Sequence, residues 1–383
     1  MARKVVHIAL NGVTGRMGYR QHLVRSLLAI RDQGGVQLAD GTSLFPEPIL
    51  VGRSEERLRA IAERHGLQRW TTSLDEVLSD PSTDIYFDAQ STAAREPSLL
   101  AALAAGKHVY TEKPLASSLD GALRIARAAR ESGVVHGVVQ DKLFLPGMIK
   151  LRRLVRDGFL GRVLSVRLEF GYWVFEGDGQ PAQRPSWNYR KEQGGGIVLD
   201  MFPHWQYLLE DMFGPIQALY ARHATHVPHR WDENGERYDV TADDSAYALL
   251  EFGTGAVASV NSSWAVRVNR RELVELQVDG TTGSAVAGLR NCAVQHRVST
   301  PMPVWNPDLP DPIDYRAQWT DIPDNQVFDN GFKVQWELFL RHAAAGDPFP
   351  WDLTEGAKGV QLAELALRSA AEGRRLEVPA LGA

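Results

Sequence analysis

From residue 4 to about residue 140, short β-branched runs alternate with longer amphipathic stretches, the pattern of βαβ units on a parallel sheet. Val5–Leu10 reads as a first strand, and Tyr19–Ile30 as a helix with Leu23, Leu27 and Ile30 on one face. Pro48–Gly52, Asp84–Ala89, His108–Thr111 and Val134–Val139 read as further strands. Glu55–Arg64, Pro97–Ala105 and Ser117–Glu131 read as helices, with Gly106 ending one and Ser117 or Ser118 capping another. Asp32–Pro46 reads as a connection, long for this kind of unit.

After Pro146 the texture changes. Arg162–Phe175, Ala246–Glu251, Ala256–Trp264 and Leu273–Val278 are β-rich, with turn signals at 253–255 and 280–283, as in a large, mostly antiparallel sheet. Met148–Asp157, Gly196–Met212 and Glu355–Ala371 carry helical periodicity, and the Pro- and Asp-rich residues 301–330 read as an extended surface crossing. The predicted fold is α/β. A doubly wound parallel sheet fills residues 1–143, and an α+β domain on a mostly antiparallel sheet fills residues 144–383, its last helix packing back on the first domain.

Composition narrows the classes of function. The 383 residues are 44% hydrophobic and 23% charged, enough chain for about two globular domains. A formal charge of −5 gives no general attraction to nucleic acid or anionic membrane. No apolar run approaches the ~18 residues of a membrane span, and the first residues show no signal-peptide pattern, so a cytoplasmic protein is expected. Cys292 is the single cysteine, which excludes an intrachain disulfide and a thiolate cluster. The ten tryptophans are unevenly placed, all but Trp70 following residue 172.

The first strand runs into Leu10-Asn11-Gly12-Val13-Thr14-Gly15-Arg16-Met17-Gly18. Glycines in such a strand-to-helix turn let the backbone approach a pyrophosphate, which the helix N-terminus then stabilises. Gly12, Thr14, Gly15, Arg16, Met17 and Gly18 are therefore candidate dinucleotide contacts. The second strand ends Gly52-Arg53-Ser54. A basic residue with a hydroxyl neighbour suits the 2′-phosphate of NADP, whereas Arg53 stacked on adenine, with Asp40 or Glu47 carried inward, suits NAD. Both coenzymes stay open at this point.

Ala105-Gly106-Lys107-His108-Val109-Tyr110-Thr111-Glu112-Lys113-Pro114-Leu115-Ala116 and Gly194-Gly195-Gly196-Ile197-Val198-Leu199-Asp200-Met201-Phe202-Pro203-His204 resemble the two most diagnostic stretches of the Gfo/Idh/MocA oxidoreductases. Gly331–Pro379 is similar to that family's last helices, so the resemblance covers nearly the whole chain. It implies an N-terminal Rossmann domain binding NAD or NADP, with Ser91, Thr92, Glu112 and Lys113 among its contacts. It also implies a C-terminal domain whose open sheet mediates homodimers or homotetramers. The sequence departs from the family after the fourth strand, where Gln90-Ser91-Thr92-Ala93-Ala94-Arg95 replaces a Thr-Pro-Asn type of turn, and again at Gln140-Asp141-Lys142.

Moving a hydride off a carbinol carbon needs a base for the hydroxyl proton and a cation for the alkoxide. Asp200 and His204 stand at i and i+4, on one face of a helix, and a carboxylate there can tune the imidazole as a base. Lys113, at a strand end followed by Pro114, is the candidate cation, and whether Lys113 or His204 takes the first proton stays open at this point. Taken singly, such a pair is also what a surface cap looks like; the three motifs in family order favour catalysis by Lys113, Asp200 and His204.

Sugars present apolar faces and hydroxyl edges, which aromatic rings with polar neighbours line well. Trp173, Arg184, Trp187, Tyr189, Arg190, His204 and Trp205, with Lys142, are the candidate substrate contacts. Arg184, Arg190, Lys191 and Lys142 would suit an anionic sugar if their charges converge. The other tryptophans read as packing residues. His223, His226 and His229 lie in an irregular segment with Pro228, and no metal is expected. The expected reaction is NAD(P)-dependent oxidation or reduction of a ring secondary alcohol, carbon 3 first, of a sugar, glycoside or cyclitol. An NAD-dependent, redox-assisted glycosidase is the alternative.

Overall fold

The computed structural model describes residues 2–300, 308 and 313–381. The chain divides into two compact units, Met1–Phe144 with Asp329–Gln361, and Leu145–Phe328 with Leu362–Gly382. The first division falls between Phe144 and Leu145, against a reading of 143/144 from the sequence, and Asp329–Gln361 returns to the first unit. Among the described residues no helix is long and apolar enough to cross a membrane.

In the first unit the strands are β1 (Arg3–Asn11), β2 (Val36–Gln37), β3 (Ser43–Val51), β4 (Trp70–Thr71), β5 (Ile85–Asp88), β6 (His108–Thr111) and β7 (His136–Val138). They form one sheet in the order β2-β3-β1-β5-β6-β7, with β4 beside β3. All pairs are parallel except β2 with β3. Ile8, Ala9 and Leu10 are buried in succession, as are Ile85, Tyr86 and Phe87, because helices cover both faces of such a sheet. Local chemistry sets the helix ends. Ser54 caps Glu55–His65 through the Arg57 amide and Gly66 closes it at φ 64°, while Ser118 caps Leu119–Ser132 and Gly133 closes it at φ 67°.

The expected long connection at 32–46 is shorter than it reads. A hairpin, β2 and the start of β3, occupies most of it, and Pro46 and Pro48 lie inside β3 opposite Val6 and Ile8. The Leu50 amide points outward to the Arg69 carbonyl, so the even positions of β3 face away from β1. Pro46 and Pro48 thus occupy the outer edge between the pairings with β2 and β4, where a missing N–H breaks no ladder bond.

The helix Gly331–Ala345 completes this unit. Asn330 caps it through the Phe332 and Lys333 amides, and it buries Trp336 fully. The Trp336 ring lies 4.9 Å from Phe87 and 4.8 Å from Tyr110, while Phe339 stacks on Tyr110 at 4.5 Å. Trp351 packs beside Phe349 and Phe144. The dinucleotide-binding half is therefore less poor in tryptophan than the linear order implies.

In the second unit the strands are β8 (Val163–Phe170), β9 (Ile216–Ala224), β10 (His229–Trp231), β11 (Arg237–Asp239), β12 (Ser245–Phe252), β13 (Val257–Ser263), β14 (Val274–Gly280), β15 (Gly283–Ala287), β16 (Cys292–His296), β17 (Thr320–Asp321) and β18 (Leu376–Glu377). Among the described residues, nine form a sheet in the order β17-β16-β15-β14-β8-β13-β12-β9-β18, and β10 and β11 form a separate ribbon. The sheet is antiparallel except at β8 and β13. Its strands alternate buried and exposed positions, as in β12, so one face is packed and the other open. The helix Ile197–Phe213 lies on the packed face, with Trp205, Leu208 and Leu209 buried. Of the expected crossing at 301–330, residues 301–307, with Trp305, and 309–312 lie outside the described residues.

Removing the Trp336 ring leaves a void among Phe87, Tyr110 and Phe339. Trp336→Ala is expected to cost about 3–5 kcal/mol of the first unit's stability, read as a lowered denaturant midpoint.

Candidate active site

In the first unit the register of the parallel sheet brings one group of candidate residues together. Asn11 pairs with Val51 and Asp88, Asp88 with Thr111, and Thr111 with Val138, so five strands end in one row. The residues just past it are Gly12, Gly52-Arg53-Ser54, Ala89-Gln90-Ser91-Thr92 and Glu112-Lys113. Because β3 lies on one side of β1 and β5 on the other, the row contains the switch point where open α/β sheets take their ligands.

Gly12 has φ 81°, and a Cβ there would sit 2.6 Å from the Ala89 carbonyl carbon. The turn is tight: the Gly15 amide reaches the Gly12 carbonyl at 3.0 Å, and the Tyr19 amide reaches Gly15 at 2.8 Å. A Cβ on Gly18 would lie 2.5 Å from the Gly12 oxygen. The following helix, Met17–Leu28, is of π type, begins without a side-chain cap and has no acidic residue in its first turn. Its N-terminal donors fit a diphosphate. Thr14, Gly15, Arg16 and Met17 line this turn, and Ser91 precedes the helix Thr92–Ala104. A dinucleotide thus fits the residues present.

Asp40 and Glu47 do not reach the coenzyme end of β3. Asp40 lies in the exposed turn before β3 and accepts the Thr42 amide. Glu47 pairs with Arg31 and precedes Val51 by four positions, about 13 Å along a strand. Arg53 and Ser54 are the polar side chains at that end, and the Ser54 hydroxyl is engaged as the cap of Glu55–His65.

A separate group of candidate residues is carried in the second unit by the helix Ile197–Phe213. A Cβ on Gly195 would lie 2.5 Å from the Trp187 and Asn188 carbonyl oxygens, so the glycines let the 186–189 turn press against the helix start. Asp243 accepts the Val198 amide at 2.8 Å; burial pushes its pKa up and that amide opposes the shift. His204 is buried, with Nδ1 2.8 Å from the Tyr207 hydroxyl. Sequence reasoning missed Tyr207, although its i+3 spacing from His204 was a usable signal.

The basic candidates have local partners. Arg184 lies 2.8 Å from the Asp200 carboxylate, donates to Asn188 at 2.9 Å, and covers the Trp264 ring at 4.3 Å. Arg190 covers Tyr238 at 4.3 Å, and Lys142 lies 3.4 Å from Asp141. Of the four charges named for an anionic sugar, Arg184 and Lys142 thus lie beside carboxylates, Arg190 lies over a ring, and Lys191 is exposed. Two aromatic candidates are packing residues. Trp205 is fully buried and donates to Ser262 at 2.8 Å; Tyr189 is buried against Trp264, its hydroxyl on the Phe175 carbonyl. Trp173 and Trp187 are 40% and 42% exposed. His226 meets the Tyr247 hydroxyl and His229 meets Asp239.

Two family models cover most of the chain: an oxidoreductase family with an NAD-binding Rossmann fold over residues 8–140, and the GFO/IDH/MocA C-terminal domain over residues 148–286. D-xylose dehydrogenase of Paenarthrobacter nicotinovorans is 56% identical over 379 residues, covering 98% of each chain. Levoglucosan dehydrogenase of Pseudarthrobacter phenanthrenivorans is 24% identical over 252 residues, 62% of this chain and 64% of the relative. A solved levoglucosan dehydrogenase in complex with NADH and levoglucosan shares the fold at TM-score 0.80 and 21% identity, covering 98% of this chain and 100% of that one. The chain belongs to the Gfo/Idh/MocA oxidoreductase family.

Proposed function

We propose that this NAD(P)-dependent sugar oxidoreductase oxidises a neutral free aldopyranose, D-xylose, at its hemiacetal carbon. The observation that carries the reading is the 56% identity, end to end, with a D-xylose dehydrogenase. The pairing of Arg184 with Asp200 supports a neutral substrate. A free aldose also offers, at carbon 1, its most acidic hydroxyl, which is why we place the reaction there and not at carbon 3.

When bound, the dinucleotide supplies the hydride acceptor. Gly12–Gly18, Ser91 and Thr92 would hold it, and Arg53 at the end of β3 would admit a 2′-phosphate, so NADP is accepted as well as NAD. His204 takes the hydroxyl proton at Nε2 when Tyr207 accepts the Nδ1 proton, the tautomer their 2.8 Å contact permits. The Lys113 ammonium stabilises the developing alkoxide. Asp200, one turn before His204, fixes Arg184 and with it the 184–188 segment. Trp173 and Trp187 offer faces to the sugar's C–H surface. We place the enzyme in the cytoplasm as a homo-oligomer, joined through the open sheet face that carries Tyr220, Tyr247 and Leu249.

NADH should form with D-xylose, and methyl β-D-xyloside, blocked at carbon 1, should be inert. NADH from the glycoside would move the reaction to carbon 3, and methanol release without NADH would mark a glycosidase. His204→Ala and Lys113→Ala should each lower kcat by ~10²-fold or more with NADH binding retained by fluorescence titration; unchanged turnover would remove the residue from the mechanism. Arg53→Ala should weaken NADP by ~10-fold or more and NAD far less, as loss of a charge-assisted phosphate contact requires.

A further inference from the structure

Asp88 is fully buried, Arg95 is 3% exposed and Glu112 5%, a concentration of charge just where the parallel strands end. Removing each ion from water costs several kcal/mol. Arg95 also lies in the first turn of the helix Thr92–Ala104, where the helix dipole disfavours a cation. Stability alone gives no reason for these residues, so what they hold is the informative question.

Arg95 spreads its guanidinium over three acceptors. Nε donates to Asp88 at 3.1 Å, Nη2 to the Gln90 carbonyl at 2.8 Å, and Nη1 to the Pro114 carbonyl. Asp88 also accepts the Tyr86 hydroxyl at 2.8 Å, and that oxygen accepts the Asn11 amide at 2.8 Å. Burial and the Asp88 charge push the Tyr86 hydroxyl well up, which keeps it a donor. One polar chain thus runs from the end of β1 across β5 to the residue following Lys113.

The residue preceding Lys113 is held from the opposite side. The Lys113 amide donates to the Glu112 carboxylate at 3.0 Å, and the other carboxylate oxygen lies 2.8 Å from His22 Nε2. Trp336 donates to His22 Nδ1 at 3.0 Å, so Nε2 carries the proton and donates to Glu112. Burial opposes ionisation of Glu112, yet the His22 hydrogen bond and the charges of Lys113 and Arg95 hold its carboxyl below the usual value.

We propose that Arg95, through the Pro114 carbonyl, is a positioning residue that fixes Lys113 for the reaction. The proposal rests on the assignment of Lys113 to the chemistry. It also gives a role to the 90–95 turn, the point where the sequence departs from its family's pattern. Lysine at position 95 could neutralise Asp88 but could not span three acceptors in a plane.

Arg95→Met alone would strand the Asp88 charge, so the test pairs it with Asp88→Asn, leaving the site neutral. Circular dichroism and NADH titration establish folding and coenzyme affinity. The double variant should lower kcat by ~10-fold or more, with KM for the sugar changed less than about threefold. Added to Lys113→Ala, the same pair should lower the residual single-turnover rate by less than about twofold, because a residue acting through Lys113 has nothing left to act on. Unchanged kcat, or an equal fall with and without Lys113, overturns the proposal. Should the double variant not fold, Arg95→Lys replaces it and must show the same dependence on Lys113. Full turnover by Lys113→Ala alone would fail at the earlier step, removing Lys113 from the chemistry.

Discussion

The register of the parallel sheet is the constraint on which the rest of the first unit depends. Asn11, Val51, Asp88, Thr111 and Val138 end their strands in one row, and the first amides past it still bond back across the sheet, Gly12 to the Val51 carbonyl and Glu112 to that of Asp88. Two strand ends that close in register also crowd each other. Gly12 lies against Ala89 and Gln90 with no room for a Cβ, so the glycine serves the meeting of β1 and β5 as much as any phosphate. A sheet of this kind needs both faces covered, and the helix Gly331–Ala345 supplies part of that cover through Trp336 and Phe339.

The buried arginines Arg95 and Arg230 are handled alike in the two units: each is held by several partners, and backbone carbonyls are among them. Arg95 bonds Asp88 and two carbonyls in the first unit. In the second, Arg230 bonds Asp244, the Val227 carbonyl and the Glu176 carbonyl. An arginine with this fork can tie distant loops to one carboxylate. Arg184, placed on Trp264 and against Asp200, does the same for the 184–188 segment. The positive charge of these arginines is therefore structural in its first use.

Local signals were legible wherever a few neighbouring residues decide the outcome. Ser118 and Gly106 mark helix ends because a cap is satisfied within a few residues. The Gly12–Gly18 turn and the Lys113, Asp200 and His204 positions were likewise readable, since spacing alone places them at a strand end or on one helix face. Pro46 misled, because whether proline is tolerated in a strand depends on the strand's other neighbour. Tyr189 and Trp205 misled for a related reason: burial is a property of what lies opposite, and Phe170, Ser262 and Trp264 come from distant positions.

The amino-acid sequence by itself determined the order of the strands and helices, the glycine turn, the Glu112-Lys113-Pro114 stretch and the Asp200–His204 pair, all set by contacts within about a helical turn. Tertiary structure alone decided that Trp336 completes the first unit, that Arg184 belongs to Asp200, and that Arg95 and His22 flank Lys113. Those pairings join residues that are 314 apart at the widest, His22 with Trp336. No local periodicity encodes them; they arise because burying a charge or an N–H requires a partner, and only the packed chain brings that partner within reach.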